Sequence, residues 1–211
     1  LAGRHQALFA HDRECSRDGE LVLAGVDEAG RGAWAGPVVA AAVVLPPAWE
    51  LPGLDDSKRL TPARREELLH LILASAPSWG ACAVSARRIE KVNILQATLE
   101  AMSRSVARLR PAPGLVLVDG NRAPDLSAPC TTLVGGDHRS ACIAAASIVA
   151  KVLRDRIMVA WDRHYPGYGF AGHKGYGAAG HRQALEVLGP CLLHRMTYQP
   201  LVRLDQGNLF D

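Results

Sequence analysis

Residues 21–32 place the tightest constraint on what this chain can fold into. An apolar run of strand length, Leu21 to Val26, ends in two adjacent acids, Asp27 and Glu28, and then in Gly30-Arg31-Gly32. So apolar a run suits a strand buried on both faces, and such a strand needs sheet neighbours. The acids then stand at a strand end, where their hard oxygens suit Mg²⁺ or Mn²⁺. Glycines let main-chain N–H groups approach a ligand closely, and Arg31 offers a phosphate clamp. Taken alone, the segment also fits a solvated turn after a strand.

The rest of the chain supplies the sheet. Val38 to Leu45 reads as a second strand, bounded by Pro37 and by Pro46-Pro47, and its nearness to the first predicts an antiparallel hairpin. Trp79 to Val84, Leu115 to Val118 and Thr131 to Val134 read as further strands, the wholly apolar Leu115 to Val118 being central. A helix is predicted from Thr61, with Pro62 at its first position, to Ala76; Leu68, Leu69, Ile72 and Leu73 share its inner face. Ser85 caps a second helix that runs to Leu109, before Pro111. A long third helix covers 140–163, and a shorter one 181–188. Residues 1–20 form an arm or short helix, 46–60 a loop, and 164–182 a glycine- and tyrosine-rich loop. These elements predict an α/β or α+β domain with a mixed sheet. The expected divisions are an arm at 1–20, a catalytic domain at 21–163, a C-terminal helical extension at 164–200 and a flexible tail at 201–211.

Bulk properties exclude more than they assign. A length of 211 residues suits one domain. The net charge of +3 permits a nucleic-acid partner without demanding one, so any basic face must come from local clusters such as Arg64-Arg65 or Arg104, Arg108 and Arg110. The 5 cysteines are odd in number, widely spaced and without a C-x-x-C pair. That predicts reduced thiols in a cytoplasmic protein rather than a disulfide framework or a zinc site. No apolar run approaches the roughly 18 residues of a membrane span, and no secretory signal is visible.

Further acids stand where the first pair does. Asp119 follows Leu115-Val-Leu-Val118 and precedes Gly120; Asp137 follows Leu133-Val-Gly-Gly136. If Asp27, Glu28, Asp119 and Asp137 converge at one sheet edge, their mutual repulsion calls for a divalent cation. Two such ions about 4 Å apart suit phosphodiester hydrolysis. Alone, Asp119 also suits a turn, and Asp137 the start of a helix.

Five blocks, in order, resemble the type 2 ribonuclease H (ribonuclease HII) family: Val26-Asp-Glu-Ala-Gly-Arg-Gly32, Asp56-Ser-Lys-Arg-Leu60, Val118-Asp-Gly-Asn121, Ala144-Ala-Ala-Ser-Ile-Val-Ala-Lys-Val-Leu-Arg-Asp155 and His173-Lys-Gly-Tyr-Gly177. The match spans about residues 21–200. The resemblance implies an RNase H-like fold with a C-terminal helical extension. It implies Mg²⁺- or Mn²⁺-dependent cleavage of RNA paired to DNA, and nicking 5′ of single ribonucleotides in DNA, leaving a 3′-hydroxyl and a 5′-phosphate. Those activities belong to ribonucleotide excision repair and DNA replication. Carried over by motif, Asp27, Glu28, Asp119 and Asp137 are the metal-binding catalytic acids. Gly30, Arg31 and Gly32 read the ribose 2′-hydroxyl and nearby phosphates, Tyr176 packs on the junction sugar, and Lys58 contacts phosphate. Only the 2′-hydroxyl separates RNA from DNA, so a polar backbone turn beside the metals is a sensible reader. Asp155, four residues after Lys151, reads as structural.

The chain departs from the family at Gly135, where a lysine usually stands, and His194 to Pro200 is a loose version of the family's last block. The ending Gln206-Gly-Asn-Leu209-Phe210 resembles peptides that dock on a bacterial sliding clamp, with Leu209 and Phe210 as anchors and Gln206 as a polar contact. Nothing requires more than a monomer. Two alternatives stay open: a hybrid-binding module with impaired chemistry, and a different carboxylate nuclease acting on DNA.

Overall fold

The computed structural model of the chain describes residues 2–46, 51, 53, 54, 57 and 59–204. Five strands, β1 (Leu23–Ala29), β2 (Val38–Val44), β3 (Ser78–Val84), β4 (Leu115–Asp119) and β5 (Cys130–Leu133), form one sheet in the order β3-β2-β1-β4-β5. The first three are antiparallel neighbours, while β4 runs parallel to β1 and β5 parallel to β4. This is the expected mixed sheet, with the predicted hairpin between β1 and β2. The centre is β1; β4 is internal, between β1 and β5.

The helices are α1 (Ala2–Cys15), α2 (Pro62–Ser75), α3 (Ala86–Val106), α4 (Ala141–Asp162), α5 (Phe170–His173), α6 (Ala179–Leu188) and α7 (Leu201–Leu204). Side chains cap the starts of α2, α3 and α4. Thr61 Oγ1 accepts from Arg64 N–H at 3.2 Å, Ser85 Oγ from Arg88 N–H at 3.3 Å, and Ser140 Oγ from Ile143 N–H at 3.2 Å.

Several boundaries differ from the sequence expectation. Strand β1 extends to Ala29, so Asp27 and Glu28 lie within the strand rather than after it. Pairing explains this: Asp27 faces Ala41 and Glu28 faces Ala40 on β2, so the ladder continues past the apolar run. Helix α3 ends at Val106 and is broken at Asn93, whose φ is 66°. The Asn93 side chain accepts from Gln96 N–H at 3.0 Å, capping the second half as a fresh helix. The expected arm is a 14-residue helix, α1, the loop 164–182 holds α5, and the expected tail opens with the helical turn α7.

Two apolar layers sandwich the sheet. On one face Ala41, Val43, Leu117 and Leu133 pack with α4, α2 and α1; on the other Ala40, Ala42, Val116 and Val118 pack with α3. Each large buried side chain here, such as Leu68 or Ile143, contributes roughly 1.5–3 kcal/mol. The all-buried Val-Val-Ala-Ala-Ala-Val-Val of β2 is what a strand covered on both faces requires. Helix α4 approaches β1 so closely that any Cβ at Gly25 would fall on the Cys142 backbone. A third, smaller cluster joins Ala35 and Met158 to Tyr168, Phe170 and Ala184 of the C-terminal region.

Candidate active site

Parallel pairing of β1 with β4 sets Val26 opposite Val118, so the next step of both strands puts Asp27 beside Asp119. Alternation sends both carboxylates toward α4, where Leu23 and Leu117 also point. Asp27 is buried; its Oδ1 accepts from Glu28 N–H at 2.6 Å, and nearby Ser147 of α4 favours its charged form. Asp119 Oδ1 accepts from Gly136 N–H at 2.7 Å, which pins the turn between β5 and α4. Asp137 follows in that turn, a 3-10 segment from Gly136 to His138, and is itself buried.

The electrostatics of these acids are unfavourable as they stand. Burial pushes the Asp27 carboxyl well above the usual range, and the charges of Glu28 and Asp119 add to it. Burial also raises Glu28; Arg31, with Nη1 at 3.3 Å from Glu28 Oε1, opposes that rise. The structure thus brings Asp27, Glu28 and Asp119 within each other's fields and leaves Asp137 one residue from the amide that holds Asp119. Among the described residues, no three His, Cys, Asp or Glu side chains are placed together so as to hold a metal ion. These acids are hard oxygen donors, and Arg31 is the basic side chain paired with Glu28; hard oxygens are the donor chemistry that Mg²⁺ or Mn²⁺ takes.

A cleft of about 540 Å³ opens beside the acids, lined by Glu28, Gly30, Gly32, Ser57, Lys151 and Tyr176 among others. The Gly-Arg-Gly turn is on its rim. Gly30 takes φ +96° and lies so close to Arg154 that a Cβ would strike the guanidinium. Gly32 has nothing within 4 Å of where a Cβ would be, and among the described residues nothing accepts from its N–H. The Arg31 carbonyl is occupied: Arg195 Nη1 and the Tyr198 hydroxyl both donate to it, each at 2.9 Å. Of the expected reader, then, the Arg31 side chain and Gly32 are exposed, and Gly30 lines the cleft with no room for a side chain.

Tyr176 lines the same cleft, its ring 5.5 Å from Lys151 Nζ and 5.0 Å from Arg154 Cζ. Lys151 Nζ also donates to Asp155 Oδ1 at 2.8 Å, the structural pair read from the sequence. Lys58, Gln206, Leu209 and Phe210 lie outside the described residues. Gly135 takes φ 65° at the β5–α4 turn, a conformation that strains a lysine and not a glycine.

Sequence reasoning missed the side chains that hold these parts together. Arg154 and Arg195 are fully buried. Arg154 donates to the carbonyls of Pro37, Ala35 and Lys174, tying the β1–β2 connection to the tyrosine loop. Arg195 donates twice to the Gly36 carbonyl and once to that of Arg31. Ser147 was missed too, although its four-residue spacing from Lys151 puts both on one stripe of α4, a signal that was available. Ser147 Oγ lies 2.8 Å from Ser57 Oγ.

Comparison with known proteins agrees with this geometry. The family model described as "Ribonuclease HII" matches residues 24–200. The ribonuclease HII of Moorella thermoacetica is 52% identical over 196 residues, covering 93% of this chain and 95% of that one. Among solved structures, ribonuclease H2 from Pyrococcus horikoshii superposes with a TM-score of 0.72 at 25% identity, covering 88% of this chain and 97% of that one. The PCNA:RNase HII complex from Archaeoglobus fulgidus gives 0.70 at 27% identity, covering 85% and 96%.

Proposed function

The chain belongs to the ribonuclease HII family, and from that premise we propose that it nicks DNA 5′ of single embedded ribonucleotides as well as cutting RNA within longer hybrids. It is an endonuclease of the ribonuclease H class acting on RNA paired with DNA, in a family that depends on divalent metal. The observation that supports the finer reading is the meeting, in one cleft, of Glu28, Gly32 and Tyr176, with Asp27 next to Glu28 in β1 and Asp119 on the neighbouring strand.

In this reading Asp27, Glu28, Asp119 and Asp137 hold Mg²⁺ or Mn²⁺. Two such ions, when bound, supply an activated water and charge relief at the leaving oxygen. The chain's own groups supply selection. The Gly32 N–H approaches the ribose 2′-hydroxyl, which DNA lacks. Arg31 and Lys58 bind adjoining phosphates. Tyr176 packs against the sugar at the RNA–DNA junction, where a ring senses position and pucker. Residues 164–200 complete the groove around a catalytic unit of residues 21–163. The products are a 3′-hydroxyl and a 5′-phosphate, and the protein acts as a cytoplasmic monomer.

The same reading takes Gln206, Leu209 and Phe210 as a peptide that docks on a sliding clamp. The Archaeoglobus relative, solved as a complex with PCNA, supports it. Deleting residues 206–211 should abolish clamp binding and leave hybrid cleavage intact; unchanged binding refutes the docking role.

The deciding assay uses a labelled DNA duplex with one ribonucleotide, given Mg²⁺ or Mn²⁺, beside an all-DNA duplex and the Asp119→Asn variant. A metal-dependent nick 5′ of the ribonucleotide, absent from both controls, is expected. Cleavage of the all-DNA duplex at a similar rate would overturn the reading.

A further inference from the structure

Three histidines lie behind Tyr176, outside the cleft. His173 and His181 stack with centroids 4.3 Å apart and 10° between planes, and His181 Nε2 is 3.0 Å from His194 Nε2. His181 and His194 are buried.

Backbone partners determine where each proton sits. Cys191 N–H donates to His194 Nδ1 at 2.8 Å, a shorter contact than the 3.3 Å from that nitrogen to the Cys191 carbonyl. His194 Nδ1 is therefore bare, and its proton is on Nε2. That proton is donated to His181 Nε2, which leaves the His181 proton on Nδ1, facing the Tyr176 carbonyl at 2.9 Å. Gly175 N–H donates to His173 Nδ1 at 3.1 Å, so His173 donates from Nε2 to the Tyr168 carbonyl at 2.7 Å. One arrangement of three protons satisfies every ring nitrogen, with all three rings neutral. Burial supports this by lowering His181 and His194 to about 4.

The chain of protons ends on the backbone of the cleft tyrosine. Gly175 N–H goes to His173 Nδ1. The Gly175 carbonyl accepts from Trp34 N–H at 2.8 Å and Ala35 N–H at 3.2 Å. Tyr176 N–H goes to the His173 carbonyl, and the Tyr176 carbonyl accepts from Ala178 N–H and His181 Nδ1–H. Every backbone polar group of these two residues is held, two of them by imidazoles. Apolar rings would fill the same space without burying six polar nitrogens. What the histidines add is direction: they fix the peptide that carries the Tyr176 ring, and they do so against Trp34, next to the Gly-Arg-Gly turn.

We infer that His173, His181 and His194 are positioning residues for Tyr176, and through it set discrimination at the RNA–DNA junction rather than the rate of hydrolysis. The inference rests on the reading of Tyr176 as the sugar-packing residue.

The test measures kcat and KM on two substrates, a single-ribonucleotide duplex and a uniform RNA/DNA hybrid. The proteins are the parent, Tyr176→Ala, His181→Phe, His181→Asn and the Tyr176→Ala/His181→Phe double variant, each checked by thermal melting. Loss of one positioning hydrogen bond in His181→Phe should lower kcat/KM about tenfold on the single-ribonucleotide duplex and much less on the hybrid. The double variant should fall no further than Tyr176→Ala, because the histidine acts only through the tyrosine. His181→Asn presents an N–H where Nδ1–H stood and should recover most of the loss. Equal losses on both substrates, or additive losses in the double variant, overturn the inference. If Tyr176→Ala leaves the substrate ratio unchanged, the reading of Tyr176 fails and the inference with it. If Tyr176→Ala changes the ratio and His181→Phe does not, the inference alone fails. Should His181→Phe not fold, His194→Leu, which cuts the chain one ring farther out, takes its place with the same expectations.

Discussion

Replacing Arg195 asks whether a buried guanidinium organises the Gly-Arg-Gly turn or merely fills space. Its Nε and Nη2 donate to the Gly36 carbonyl at 3.0 and 2.8 Å, and its Nη1 to the Arg31 carbonyl at 2.9 Å and the Tyr198 hydroxyl at 3.3 Å. Its guanidinium stands 5.1 Å from the Tyr198 ring centroid. Among the described residues no carboxylate pairs with it, and burial lowers its pKa to about 10, so it stays charged at neutral pH. Arg195→Met keeps most of the volume and removes a desolvated charge, which favours the variant. Against that, the Gly36 carbonyl loses both donors, at roughly 1–3 kcal/mol, and the ring contact is lost, at about 1 kcal/mol. The Arg31 carbonyl keeps the Tyr198 hydroxyl. The balance is a destabilisation of about 2 kcal/mol, or roughly 4–8 °C in Tm for a domain of this size. Cleavage of the single-ribonucleotide duplex should fall by more than the stability loss explains, because the turn proposed to read the ribose loses one of the two donors to its Arg31 carbonyl. Arg195→Lys keeps the charge without the fork, so it should be no more stable than Arg195→Met. Thermal melting with kcat/KM at a temperature where all three proteins are folded measures both effects. Near-parental stability and cleavage in Arg195→Lys would show that a point charge suffices, and would refute the argument.

The acid cluster predicts opposite effects on stability and activity. Asp27→Asn removes a buried charge that Glu28 and Asp119 repel, so Tm should rise while metal-dependent cleavage is lost and Mn²⁺ binding by calorimetry weakens. The two glycines of the reading turn should separate: Gly30→Ala, at positive φ and against Arg154, should lower Tm, whereas Gly32→Ala should leave Tm unchanged and reduce cleavage only. The histidine pair sets an acid limit. His181 and His194 fall from 6.5 when unfolded to about 4 when folded, so the unfolded chain binds more protons between those values. Stability is therefore full above pH 6.5 and declines as pH falls toward 4, by on the order of 3 kcal/mol for the first protonation of the pair. Urea unfolding across that range measures it, and His181→Phe should flatten the slope.

The acid cluster was legible because its chemistry is contiguous with its scaffold. An apolar run that ends in an acid announces both a strand and what the strand carries, and Leu21 to Glu28 and Leu115 to Asp119 each do so. Thr61 and Ser85 announced their helices in the same way, by short-range capping. What remained hidden was every link made between a side chain and a distant backbone carbonyl. Arg154 sits in a helix where a charge normally faces water, and Arg195 in an irregular segment; among the described residues neither forms a salt bridge with an acid that would mark it as buried. Their partners are carbonyls, which every residue owns and no sequence advertises. The histidines share this trait, since His173, His181 and His194 all end on main-chain atoms. The Asn93 break hid for a related reason: its cap lies inside a run of good helix formers.

This difference divides the site into two parts with different tolerances. The acids depend on the sheet register of two strands, and a change elsewhere moves them only by disturbing the core. The reading surface is assembled from residues 31–36, 154, 174–176, 181 and 194–195, which meet through a few charge-to-carbonyl and ring-to-carbonyl bonds. Such bonds are geometrically strict, and they add to the few backbone bonds that join these segments, from Trp34 and Ala35 N–H to the Gly175 carbonyl and from Arg195 N–H to the Trp34 carbonyl. Substitutions in this second set should therefore change which sugar is accepted before they change whether a phosphodiester is cut. That order is open to measurement: variants at Arg154, His181 and Arg195 should lose single-ribonucleotide cleavage ahead of hybrid cleavage, whereas variants at Asp27 and Asp119 should lose both together.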